Sequence, residues 1–597
     1  MFRLILAALV LLVAHTPAAR AQDAVRETVV VTAAATPVTL ESVTRTLTVI
    51  TREQIAQLPV HSVADVLRLA SSVDVRARGE MGIQADFAIR GANFGQMLML
   101  VDGVRLNDAQ SGHHNGDVPV PLEAIERIEV LQGAGSSLFG ADAFGGTINI
   151  ITRRDTVPAS LSLQAGSFGL VAGAGQVEAG RGAVRQRIAV SANRSDGFMY
   201  ERGFETASFN SRTTVGERSG VSVSYLQKDF GANGFYGNAP SHEWTNQTLL
   251  AADHRFAPRA GWQLFADASY RTHGDHFLFN VTRPGVSENR HRTHTTLGTF
   301  KASKTLRQDS TFTVGAEAGG DWIRSSNLGD HTTNRVSGFG EWREAITPRT
   351  HLDASLRFDR YSEFGTSWSP SLGIGWWPSS TTRLRTSVAR AFRVPTFTER
   401  YYHDPANFAR PEVGPETAWT GDGGADLFLT NGVMVSATFF TRFEHDVIDW
   451  LRPTVADIWR TYNVRDVDTK GVELSVRTSL AGGAFVQAGY TGIDVNAAAI
   501  TQLSKYVLDY APHALTAAAV IPLPASVKLA PRVEVKHRTR ASGTSNYTLL
   551  DVRLSRRLGA LDLSVEGTNL FDQSYQEVAG VRMPGRAATV LLSVVGR

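Results

Sequence analysis

The chain has 597 residues, no cysteine, 20% charged residues and a formal net charge of +3. The missing cysteines exclude a disulfide scaffold and thiolate chemistry, and the near balance of charge gives no signal for nucleic acid. A mean hydropathy of −0.12 would suit a soluble protein, but membrane β-barrels also average to modest values, because lipid-facing and lumen-facing residues alternate.

Residues 1–21 read as a secretory signal peptide. Arg3 supplies the positive start, Leu4 to Ala14 form an apolar stretch too short to cross a bilayer as a helix, and Ala19-Arg20-Ala21 fits a small-x-small cleavage site. Mature chain is expected from Gln22. No later apolar run reaches the length of a membrane helix, about 18 residues. Residues 22–35 hold Glu27-Thr28-Val29-Val30-Val31-Thr32-Ala33, a strand-forming run with no turn signal to pair it with a neighbour.

Residues 36–153 mix helix and strand signals and predict a small α/β domain. Thr51 to Ile55 suggests a short helix, and Ser62-Val63-Ala64-Asp65 is a capping-box-like start to another. Leu98 to Val101 reads as a buried strand running into an Asp102-Gly103 turn, with further strands at Ile125 to Leu131 and Thr147 to Thr152.

Residues 154–597 change grammar to near-continuous alternation. Trp262, Leu264, Ala266, Ala268 and Tyr270 share one face; Leu352, Ala354, Leu356 and Phe358, then Val472, Leu474 and Val476, repeat the pattern. Strands of a soluble sandwich run about 5–6 residues, whereas several of these alternations approach the 9–11 or so that a tilted membrane strand needs. The predicted fold class is therefore mainly β: a large antiparallel transmembrane barrel with room for about 22 strands, preceded by the α/β domain. Polar-aromatic stretches from Gly231 to Trp244, His273 to His294 and Tyr401 to Glu416 are expected as long external loops.

The order of these parts resembles the TonB-dependent outer-membrane receptors. The resemblance rests on the run Glu27 to Ala33, which looks like a TonB box; on Ile89-Arg90-Gly91 and Met99 to Asn107; on Ile125 to Gly133 and Ser137 to Gly140; on Gly145 to Thr152; and on Tyr462-Asn463, Asn569 to Asp572 and Pro584-Gly585-Arg586 in the barrel. Two departures stand out. Gln132 occupies a position where the family often has arginine, and the chain ends in Arg597 rather than the aromatic residue that the barrel-assembly machinery reads.

The resemblance implies an outer-membrane location in a Gram-negative bacterium, with the α/β domain as a plug inside the barrel. It implies import of a scarce chelate driven by TonB and its inner-membrane energising complex, in a monomer with no nucleic-acid partner and no cofactor. Strand addition to the box explains why β-branched residues suffice there. A ferric siderophore is the first choice of extracellular ligand; cobalamin is the alternative and haem the third. A passive channel or adhesion barrel is the reading from a different class. No catalytic constellation is evident.

Candidate polar contacts between plug and barrel are Arg78, Arg90, Arg105, Glu123, Glu126, Arg127 and Glu129. Candidate ligand contacts are His113, His114 and Asn115 in the loop that the resemblance puts at the plug apex, with Phe235, Tyr236 and Trp244 as rigid amphipathic surface. His403 lies between Phe392-Arg393-Val394-Pro395 and Ala409-Arg410-Pro411, a stretch similar to the one haem receptors use. The pairs His273-x-x-His276 and His291-x-x-His294 have a zinc-like look, but strand residues three apart face opposite ways, so no metal site is expected from them.

Overall fold

A computed structural model describes residues 30–31, 34–36, 38–39, 42–154, 158–285, 287–307, 309–429, 432–464, 466–480, 483–497, 500–540 and 543–596. The signal peptide, Glu27, Thr28, Val29, Thr32, Ala33 and Arg597 lie outside these residues.

Among the described residues, 22 antiparallel strands close into one barrel around an α/β plug, the fold class expected from alternation. The wall runs from Ser160–Gly166 to Ala587–Val595, and these two strands pair with each other, Ser160 opposite Val595 and Gly166 opposite Thr589. No helix among the described residues is long and apolar enough to cross a membrane; the strands do so. Alternation sorts their side chains. In Val467–Ser479, Val472 and Leu474 point outward and are exposed, while Glu473 points into the lumen. In Val527–Arg540, Arg532, Glu534, Lys536 and Arg538 are buried on the inner face.

The plug precedes the wall. Strand β1 (Val30–Val31) pairs with β2 (Val38–Thr39), so the run that lacks a sequence signal for a partner does have one, seven residues on, through Val31 opposite Val38. Then come β3 (Leu47–Thr51), α1 (Arg52–Gln57), α2 (Val63–Leu67), β4 (Val73–Ala77), β5 (Ala85–Ile89), β6 (Met97–Val101), β7 (Val104–Arg105), β8 (Ile125–Gln132), α3 (Ser136–Phe139) and β9 (Gly146–Thr152). Thr51 and Gln54 form a full capping box on α1, and Ser62 caps α2 through the Asp65 amide. The main plug sheet has the order β3-β8-β9-β6-β7, with β6 and β9 parallel. Asp102 and Gly103 both take positive φ (50° and 86°) in the turn after β6, and Asp102 is held there by the Thr152 amide and hydroxyl. At the end of β8 the Gln132 amide donates to the Thr46 and Val130 carbonyls and accepts from the Thr48 and Ser72 hydroxyls, so a neutral side chain is fully satisfied there.

The external stretches differ from expectation. Strands Trp262–Leu278 and Glu288–Arg307 are 17 and 20 residues long and absorb most of the segment expected as a loop from His273 to His294. Trp244 likewise lies on a strand, His242–Arg255. Beyond the hydrocarbon both faces of a protruding hairpin meet polar surroundings, so the apolar face that marks a membrane strand in sequence disappears while the ladder continues. The stretch from Tyr401 to Glu416 contributes His403–Asp404 and Asn407–Phe408 to a five-stranded external sheet with Trp459–Val464, Val447–Arg452 and Leu503–Ser504.

Sidedness gives a direct test. Leu474→Arg on the outer face should destabilise the folded barrel by about 2–4 kcal/mol if it lies near the bilayer midplane. Unfolding in urea, followed by heat-modifiable migration on gels, would measure it; an unchanged midpoint would contradict the assigned face.

Candidate binding site at the plug apex

The apex loop follows β7. Asn107 fixes its start, accepting from the Met99 amide and donating to the Met97 carbonyl, both at 2.8 Å. Ser111 caps a single 3-10 turn, Gly112–His114, and Asn115 Oδ1 accepts from the Asp108 amide at 3.0 Å. Asn115 is buried in this role, which corrects its reading as a ligand contact: a loop this short needs its own side chains to satisfy its amides.

The two histidines diverge. His113 stacks on Phe94 with ring centroids 4.3 Å apart, and its Nδ1–H donates to Asp86 at 2.8 Å. Tyr506, from the external loops, lies edge-on to Phe94 at 4.9 Å and 6.1 Å from the His113 ring, and Tyr236 lies 6.3 Å from His113. Arg78 completes the group, 2.9 Å from Asp86. Burial opposes charge on Asp86, but Arg78 and His113 hold its carboxyl well below the usual range; burial holds the His113 imidazole below its ordinary value despite Asp86. Above this nest, Lys505 Nζ sits 5.3 Å, 5.9 Å and 5.5 Å from the rings of Trp450, Trp459 and Tyr506. Burial pushes that ammonium down to about 8. The result is an aromatic floor and wall beneath the Lys505 ammonium, suited to a bulky polar ligand.

His114 instead turns away from the nest and is buried against the barrel wall, 3.3 Å from Asp275, so of the two histidines read as ligand contacts only His113 faces the nest. Phe235 is corrected too: it is buried with Ile83, Phe204, Phe230 and Val581, under the Arg202 guanidinium. Its neighbour Tyr236 is the one that reaches Phe277, His113 and Arg78. Trp244 stands on the outer face, stacked on His276 at 4.6 Å, because Glu243 and Thr245 take the inner positions of that strand. His294 also faces outward, on Trp322, whereas His273 and His291 are buried inside, as strand alternation requires. His403 is exposed on the external sheet; its Nδ1–H donates to the Tyr401 carbonyl at 2.8 Å, which leaves Nε2 as an acceptor. Phe94, Lys505 and Tyr506 were not singled out in the sequence. Phe94 carries only the weak signal of a lone aromatic in a polar turn, and nothing marks the two residues that fold over it from far along the chain.

Residues 39–147 match the TonB-dependent Receptor Plug Domain and residues 187–570 match the TonB dependent receptor-like β-barrel. The chain belongs to the TonB-dependent receptor family. The vitamin B12 transporter BtuB of Vibrio vulnificus (strain YJ016) is 24% identical over 497 residues, 75% of each chain. The siderophore receptor PirA from Pseudomonas aeruginosa superposes with a TM-score of 0.73 at 19% identity, covering 92% of this chain and 99% of that one. The siderophore receptor PiuA from Acinetobacter baumannii gives 0.76 at 16% identity, covering 94% and 98%. At these identities the structural likeness is one of fold. The family is one of outer-membrane β-barrel receptors.

In this TonB-dependent receptor the seam between plug and barrel is charged. Arg90, at a positive φ of 54°, makes a bidentate pair with Glu473 (2.8 and 2.7 Å) and a third bond to Asp422 (3.1 Å), both on the wall. Other expected contacts close within the plug: Arg105 on Asp142 and the Phe139 and Ala141 carbonyls, Arg127 on Glu129, Glu126 beside Arg153, and Arg78 on Asp86. Arg105 and Glu126 thus take partners in the same compact domain rather than on the wall, whereas Arg78 also reaches the barrel chain, its carbonyl accepting from Arg202 and its guanidinium 5.7 Å from the Tyr236 ring. The Glu123 carbonyl accepts from Gln176 on the wall at 2.9 Å. Seam residues missed in the sequence include Arg68, paired with Glu534 and Glu577, and Asp74, paired with Arg538 and Lys536. Removing one partner of a buried pair strands the others. Arg90→Ala should weaken plug docking by about 3–5 kcal/mol, read as faster protease release of the plug from a barrel that remains heat-modifiable; unchanged protection would show that Arg90 is not a seam anchor.

Proposed function

We propose that this receptor imports a ferric siderophore, which enters between the external loops and rests on the nest of Phe94, His113, Tyr236 and Tyr506 beneath Lys505. The nest is the observation that carries the reading. It joins plug and external loops in one contact surface, so a ligand bound there touches both, and the Lys505 ammonium above it favours an anionic chelate. The siderophore receptors that share the fold support the same choice.

Cobalamin is the second reading, favoured by the relatives named as vitamin B12 transporters, which match three quarters of the chain. The exposed Nε2 of His403 keeps haem as a third. None of the three requires covalent chemistry.

The export signal at residues 1–21 and the box at Glu27 to Ala33 complete the proposal. Within that run, β1 has β2 on one edge. TonB would add along its backbone, and energy from the inner membrane would remodel the plug. Proline at Val30 removes a strand donor, so V30P should abolish uptake and leave ligand binding at the cell surface intact. Uptake at the native rate would refute the box.

The cargo is tested by quenching of the ten tryptophans in purified receptor with a panel of ferric siderophores, cobalamin and haem. A ferric siderophore should quench saturably, with a Kd below about 1 μM. Tyr506→Ala should weaken it by about tenfold or more. Tight quenching by cobalamin or haem alone would replace the siderophore assignment. A ferric siderophore bound with unchanged affinity by the Tyr506 variant would move the site elsewhere.

A further inference from the structure

Behind the nest, where the apex loop meets the wall, lies a second cluster that the import reading does not use. His114 comes from the plug, Glu243 from strand His242–Arg255 and Asp275 from strand Trp262–Leu278. Wall pairing sets the last two side by side on the inner face, since Glu243 and Phe277 are opposite each other and Asp275 lies two residues earlier. One imidazole nitrogen and two carboxylate oxygens lie within 4.8 Å of one another, and all three side chains are buried.

We propose that His114, Glu243 and Asp275 form a site for a divalent first-row transition-metal ion that fastens the plug apex to the barrel wall.

Two observations carry it. First, Glu243 is 2% exposed and its Oε2 has no hydrogen-bond partner; Asp275 Oδ1 and the nearby Gln110 Oε1 share that condition. Gln110 already donates its amide to the other Asp275 oxygen at 2.7 Å, so it belongs to the same cluster. Buried oxygens without donors are costly unless a cation meets them. Second, the donors are one nitrogen and carboxylate oxygens. That set suits zinc and its neighbours in the transition series, and it leaves a position for Gln110 or water.

A second grouping, His114 with Asp117 and His273, also brings its ligand atoms within 4.8 Å of one another. Its oxygens are already engaged: Asp117 Oδ1 by Lys228 and Oδ2 by His273 Nε2 at 2.9 Å. The ion therefore belongs to the Glu243 side, with His273 as a buttress.

The probe is zinc ion, titrated into chelator-stripped, full-length receptor by calorimetry. About one equivalent should bind with a Kd below about 1 μM, and the double variant Glu243→Gln, Asp275→Asn should bind at least about 100-fold more weakly. His276→Ala, on the outer face, should bind as the parent does. Zinc should also slow protease release of the plug in the parent and not in the double variant. Weaker binding by the parent, or equal binding by the double variant, overturns the proposal. Should the double variant fail to fold, X-ray absorption at the zinc edge of the loaded parent decides: one imidazole with oxygen donors supports the site. Two or more imidazoles place the ion on His273 or on a surface pair and overturn it. Neither result depends on which chelate the receptor imports.

Discussion

A bilayer offers backbone groups nothing to bond with, and the closed ladder answers that constraint. Pairing of Ser160–Gly166 with Ala587–Val595 removes the last two edges. Once the wall is closed, alternation leaves no choice of faces: apolar residues such as Val472 and Leu474 go to lipid, and whatever remains lines the lumen. In this chain the remainder is strongly charged, as in the buried series Arg532, Glu534, Lys536 and Arg538. The plug has to be built to meet that surface.

It does so with two kinds of interior. Its own core is apolar, with Ile50, Leu67, Val75, Phe87, Met99, Ile128 and Ile148 all buried together. Its rim is ionic, with Arg68, Asp74, Arg90, Asp108 and Asp117 each paired to the wall. An apolar core keeps the plug one body, while an ionic rim ties it to the wall through discrete bonds that can be exchanged one at a time. The apex nest and the His114 cluster sit at the outer end of this rim, on opposite sides of one short loop.

Much of this was legible because local chemistry and global fold agree. The alternation of Val472, Leu474 and Val476, the caps at Thr51 and Ser62, and the Asp102-Gly103 turn each predict the element that forms. The protruding hairpins were not legible, since their sequences lose the apolar face while the ladder runs on. Nor was the nest. Asp86 lies 27 residues from His113, and Tyr506 comes from the far end of the barrel sequence. Adjacent residues also part company without a sequence sign. Phe235 goes inward to packing and Tyr236 to the vestibule; His113 goes to the vestibule and His114 to the wall. On a tight turn one position of difference reverses direction, and only the surrounding partners decide which residue takes which side.

The order of the plug sheet has a mechanical consequence. Strand β3 is the first sheet strand after the N-terminal segment, and it occupies one edge, paired to β8 alone. Just before it, Arg45 grips the Ala134 carbonyl and the Ser137 and Ser371 hydroxyls, and Thr46 bonds Asp422 on the wall. Tension applied from the N-terminus therefore loads the bonds of Ala35 to Glu341 and of Thr36 to Arg343 first, then this clamp, and then peels the edge strand. The β8-β9-β6 centre stays whole until these have yielded. Chain order and sheet order coincide only at this first strand: the next strand of the sheet along the chain, β6, lies inside it beside β9, so a pull that has freed β3 meets the paired centre of the plug before it reaches the apex loop.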